Sequence, residues 1–215
     1  MTNDDLYKAL NAELDVIYGE VLSLRADQHI FWDVQEIIRT NPAINISSEF
    51  YSWMGRTYAA SMSAAIRRQV DRTKGTVSFL RFLEHLARQP GVVTRKRYKS
   101  LSNTAPDDYM DAGFDHLAGI GNDVMSADEV KKDVDELIAK ADVLKKYTDA
   151  KVAHCGKAKP AVIPTFGDVD EAVELLERLL KKYLHLFRAT ALSSALPEIV
   201  YDWKAIFKVA WLQDS

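Results

Sequence analysis

Apolar residues recur every three or four positions along most of this chain, the spacing of helices that bury one face. Leu6, Leu10, Leu14, Ile17, Val21 and Leu24 form the first stripe. Asn3 stands where an N-cap belongs, with Asp4 and Asp5 suited to the positive end of the helix dipole. Ile30, Phe31, Val34, Ile37 and Ile38 continue the pattern to Asn41-Pro42, as one long helix or as two that bend near Asp27. Ser47-Ser48 opens a further helix whose inner face is Phe50, Tyr51, Met54, Tyr58, Met62, Ile66 and Val70, ending at Lys74-Gly75. Thr76 then caps a shorter helix with Leu80, Leu83 and Leu86, closed by Pro90-Gly91.

From 92 to 125 the pattern is less regular. Thr94 caps a short basic helix (Arg95, Lys96, Arg97, Lys99), and Pro106, Gly113, Gly119 and Gly121 punctuate the remainder of this stretch. Ser126 and Glu129 have the spacing of a capping box. The helix they open carries Val130, Val134, Leu137, Ile138, Ala141 and Leu144 and extends to Ala153-His154. After a loop with Pro160 and Pro164, Thr165 to Asp168 opens the last long helix, buried through Val169, Val173, Leu176, Leu180, Leu184 and Phe187. Val162-Ile163 is too short for a strand. The pattern thus predicts an all-α bundle of four to five long helices with short accessory ones. It is a single domain over residues 1–215, with an aromatic tail (197–215: Tyr201, Trp203, Phe207, Trp211) packed on it.

Composition adds bounds. With 215 residues, 47% of them hydrophobic, the chain can bury a core without metals or disulfides. One cysteine, Cys155, fits a reducing compartment, and the acidic start lacks a signal peptide's pattern. No stretch reaches the ~20 apolar residues that cross a bilayer. These point to a cytoplasmic protein with no membrane partner. A net charge of −3 gives no global pull on nucleic acid, so any phosphate site must be a local basic patch.

Motifs for common chemistries are missing: no Gly-rich phosphate loop, no H-E-x-x-H, no C-x-x-C, and five scattered histidines without metal-ligand spacing. Neither a metal nor a cofactor is expected. His154 stands near a helix end, after Asp149 and one turn from Lys151. An imidazole can move a ribose proton near neutral pH while a cation steadies charge growing on a phosphate. A solvated histidine at a helix C-terminus is the commoner use of that position. Arg67, Arg68 and Arg72 form a second cluster suited to bidentate phosphate contact, although Arg67 and Asp71, four apart, suit an intrahelical ion pair. Trp32, Tyr51, Trp53 and Tyr58 can stack on bases, but at helical spacing they are more often core or dimer interface.

Several short motifs in a particular order give the chain a resemblance. Phe31-Trp-Asp-Val-Gln-Glu-Ile-Ile-Arg39, Tyr51-Ser-Trp-Met54, Ala65-Ile-Arg-Arg-Gln-Val-Asp71, Val152-Ala-His154 and Tyr201-Asp-Trp-Lys-Ala-Ile-Phe207 resemble the AbiU-type branch of the HEPN superfamily, over roughly 25–210. The resemblance implies a HEPN-like bundle, usually a homodimer, with a role in abortive infection or toxin–antitoxin phage defence. Many members are metal-independent endoribonucleases. In these an Arg, a polar residue and a closing His meet their counterparts across a dimer. His154 matches the His and Asp149 the polar position, whereas Thr148 stands where the Arg belongs. Lys151, or Arg67 and Arg68 from a neighbouring helix, would have to supply the charge. The partners implied are a second copy, RNA, and an antitoxin or other protein. Three readings stay open: a HEPN-type ribonuclease, a non-catalytic bundle that binds RNA, a nucleotide or a protein, and a structural homodimer.

Overall fold

The stripe from Leu6 to Leu24 and its continuation to Phe31 lie on one unbroken helix, α1 (Asn3–Thr40), with no bend at Asp27. The computed structural model describes residues 2–152, 162–198 and 201–209. Thr2, not Asn3, caps α1, its hydroxyl accepting from the Asp5 N–H while the Asp5 carboxylate accepts from Thr2. At 1.5 Å per residue α1 is about 57 Å long. α2 (Glu49–Gln69) is capped by Ser48 and ends before Lys74-Gly75, because the chain turns at Val70 and Asp71 accepts from Thr73. Gly75, at φ +90°, serves the turn into the next helix. Ser78 rather than Thr76 caps α3 (Phe79–Arg88), and its own hydroxyl donates to the Asp71 carbonyl.

Thr94 caps α4 (Arg95–Lys99). The segment read as irregular contains α5 (Asp107–Ala118), with Gly113 in its interior. Tyr98 Oη would lie 2.9 Å from a Cβ at that position, so glycine is what lets α4 and α5 approach. α6 (Ala127–Tyr147) starts at Ser126 and passes into one turn of π-helix, Thr148–Val152. α7 (Phe166–Arg188) begins with a full Thr165–Asp168 capping box. A last 3-10 turn, Trp203–Lys208, is tied to α1 by Lys204 and Asp33 at 2.5 Å. Among the described residues there is no strand, only an isolated bridge between Thr94 and Val124.

α7 is buried on nearly every side, through Val169, Val173, Leu176, Leu180, Tyr183 and Phe187 among others, and packs against α1, α2, α5 and α6. A helix apolar all round belongs at the centre of a bundle. α6 packs on α2, α3 and α7, and α4 and α5 pack on each other and on α7. The architecture is all-α, with four long helices among the described residues.

One region departs from the expected burial. No residue from Trp32 to Thr57 is buried, so the end of α1, the connection and the start of α2 form a hairpin of helices beyond the core. Phe50 and Trp53, read as inner-face or interface aromatics, are 51% and 54% exposed, and Trp32 is 40% exposed. Tyr58 is the first buried residue of α2 and stacks on Phe31 with centroids 3.7 Å apart. No helix among the described residues is long and apolar enough to cross a membrane.

Candidate functional site

The π-turn after α6 gathers part of the cluster read from the sequence. A π-turn widens a helix by one residue and recurs at functional sites. Within it Thr148 is buried and its hydroxyl finds no hydrogen-bond partner, while Asp149 is half-buried and Lys151 is exposed. His154 lies outside the described residues.

Asp149 is where α2 and α6 meet chemically. Arg67 donates from Nε to one carboxylate oxygen at 2.6 Å, and Lys145 donates to the other at 2.7 Å. Hydrogen bonds from Lys145 and then Arg67 hold the Asp149 carboxyl below the ordinary carboxylate range, and Asp149 in turn raises the Arg67 guanidinium. Donation through Nε leaves the geometry of both terminal guanidinium nitrogens suited to a forked contact with an anion. Arg67 therefore pairs across helices rather than with Asp71 one turn away, which acts on it only through space.

The other predicted arginines are spent elsewhere. Arg68 pairs with Glu20 on α1 at 2.7 Å, and Arg72 with Glu84 on α3 at 2.8 Å. These contacts brace α2 and the turn after it against α1 and α3. The basic run on α4 is also internally neutralised. Arg95 binds Asp111 and Asp115, Arg97 binds Asp4, and Lys99 binds Asp107 and Asp111 at 3.0 Å each. Lys96 alone of the four is exposed.

A groove of about 680 Å³ ends one residue before the π-turn, at Tyr147. Its other walls include Phe31, Tyr51, Arg56 and Phe166. Phe31, Tyr58 and Phe166 form one aromatic cluster under it, with centroid spacings of 3.7 to 5.8 Å. Tyr58 keeps its hydroxyl buried without a partner, and burial, helped by Asp170 and Asp27, pushes its pKa far up.

Three participants escaped the sequence reading. Lys145 is one turn before Asp149, and that i, i+4 spacing is a legible signal. Tyr147 and Phe166 carry no local sign that they share a groove. Among the described residues no group of three or more His, Cys, Asp or Glu is placed to hold a metal. Comparison with family models, curated proteins and solved structures finds no match.

Proposed function

We propose that this protein is a HEPN-like phage-defence ribonuclease that cleaves RNA without a metal, with His154 moving the proton and Arg67 holding the phosphate. The observation that supports it is the Arg67–Asp149 hydrogen bond at 2.6 Å. It puts a guanidinium on the turn whose own position 148 holds a buried threonine instead of a basic residue. Lys151 adds exposed charge on the same turn. The neighbouring groove, with Tyr51, Phe166 and Arg56, offers stacking faces and a cation to single-stranded RNA.

In this scheme His154 takes the proton of a ribose 2′-hydroxyl as that oxygen attacks the adjacent phosphorus. The bond from phosphorus to the 5′-oxygen breaks, and a protonated imidazole from a second copy protonates the departing oxygen. Arg67 and Lys151 face the charge that builds on the phosphoryl oxygens. The products are a 2′,3′-cyclic phosphate and a 5′-hydroxyl. The reading carries with it a cytoplasmic homodimer, regulated in the setting of abortive infection by an antitoxin or other protein.

RNA incubated with the protein in excess chelator should be cut by wild type and spared by His154→Ala and Arg67→Gln. Equal cleavage by His154→Ala and wild type rejects the proposal.

Thr148 favours a second reading, a bundle that binds RNA, a nucleotide or a partner protein without cutting. Wild type would then be inert in the cleavage assay. If RNA is the ligand, its binding weakens as salt rises through release of counterions.

A further inference from the structure

Away from that turn, α7 presents Arg178, Lys181, Lys182 and His185 at spacings of three, four and seven, on one face of the helix. With His116 and Leu117 from the end of α5, and Ala191 and Leu192 after α7, they line a pocket of about 410 Å³. No described Asp or Glu lines it.

The cations are anchored from outside the pocket. Arg178 pairs with Glu136 at 2.6 Å, Lys182 with Asp133 at 2.7 Å, and Lys181 with Glu177 at 2.8 Å. Glu177 is shared further, with Arg25 at 2.7 Å and the Ala195 N–H at 2.8 Å. Burial works to raise the Glu177 carboxyl, but those donors hold it below its ordinary value, so it remains a carboxylate. Arg178, Lys181 and Lys182 line the pocket while their carboxylates Glu136, Glu177 and Asp133 do not, so each ion pair turns its cationic partner toward the pocket.

The anchors also fix the donors. Lys182 is 16% exposed and its Asp133 9% exposed, so that ammonium is held largely out of water. Donors already immobilised lose less entropy when a ligand arrives. His185 stacks on Tyr98 with centroids 5.8 Å apart, and burial lowers its pKa. A neighbouring anion acts in the opposite sense, favouring the imidazolium. His116 sits in the last turn of α5.

We infer that this pocket, between the end of α5 and the second half of α7, binds a phosphate-class dianion. The ligand is inorganic phosphate or the phosphate of a small monoester, with Arg178, Lys181 and Lys182 as donors. Leu117, Ala191 and Leu192 form an apolar wall that the organic part of a monoester would cover. The inference does not depend on the ribonuclease reading, since Arg67, which holds the phosphate in that reading, does not line this pocket.

The test titrates inorganic phosphate into the full chain at constant ionic strength, following the imidazole resonances of His185 and His116. A saturable shift is expected, with a dissociation constant of about 1 mM or tighter. Arg178→Glu, at a residue with a 54% exposed side chain, should weaken binding about tenfold or more while the far-ultraviolet dichroism stays helical. Lys181→Gln should weaken it in the same direction, and Arg39→Gln, far along α1, should not. Ribose 5-phosphate distinguishes the sources. Tighter binding than phosphate marks a monoester ligand, and equal or weaker binding marks the free ion. A shift that never saturates, or one unchanged in Arg178→Glu, overturns the inference.

Discussion

Arg67 on α2 and Asp149 in the turn after α6 stand 82 residues apart and share a hydrogen bond of 2.6 Å. The bond fastens the π-turn to the bundle and gives that turn a guanidinium its own sequence lacks. Both side chains are 35% exposed, so solvent screens the pair and its coupling is modest, about 0.5–1 kcal/mol.

Acid should remove that coupling. Asp149 titrates below its ordinary 3.8, held there by Lys145 and then Arg67. A lowered folded pKa stabilises the fold above the unfolded value, and the benefit is lost as pH falls through the folded value. A double-mutant cycle of Arg67→Gln and Asp149→Asn, read by urea unfolding, should give the full coupling at neutral pH. It should give almost none well below the folded pKa. A coupling unchanged in acid would show that charge does not hold the pair.

Thr148→Val should leave stability unchanged or raise it by up to about 1 kcal/mol. The native hydroxyl is buried without a partner, and removing an unpaired polar group relieves a desolvation cost. Thermal unfolding measures this. If the proposed function is right, RNA cleavage by Thr148→Val equals that of wild type. A loss of cleavage without loss of fold would return position 148 to the site.

Tyr183→Phe should cost about 1–3 kcal/mol. The ring is fully buried and its hydroxyl donates at 2.6 Å to Asp133, which also accepts from Lys182 at 2.7 Å. Burial, reinforced by Asp133, keeps the phenol protonated and so keeps it a donor. The loss should appear in the urea midpoint with little change in slope, since the exposed area on unfolding is the same. A midpoint equal to wild type would mean that Lys182 alone satisfies Asp133.

Gly113→Ala should destabilise by about 1–3 kcal/mol, although alanine is the better helix former. The added methyl meets Tyr98 Oη at 2.9 Å, inside α5. Combining it with Tyr98→Phe should recover part of the loss in chemical denaturation. A single mutant as stable as wild type would show that Tyr98 yields freely.

Features carried by neighbours in sequence were legible. The Leu6–Leu24 stripe, the caps at Ser48, Thr94, Ser126 and Thr165, and the buried face of α7 each arise from spacing within a few turns. Gly113 read as punctuation because its reason, Tyr98, sits on another helix. Phe50 and Trp53 fell on the apolar face of α2, but period gives the direction of a face and not how far its partners extend. At the site, Asp71 was the obvious mate for Arg67. Only folding brought Asp149 closer, and the i, i+4 partner that local reasoning does supply there is Lys145.

The helical hairpin from Trp32 to Thr57 makes the molecule easy to modify at one place. Its connection between Pro42 and Ile46 lies beyond the last buried side chain on either arm. An epitope spliced there, or a dye carried on a cysteine at Asn45, meets water rather than packed neighbours. The same connection is where a peptide insertion, or a nick by a protease, would leave the central helices in place.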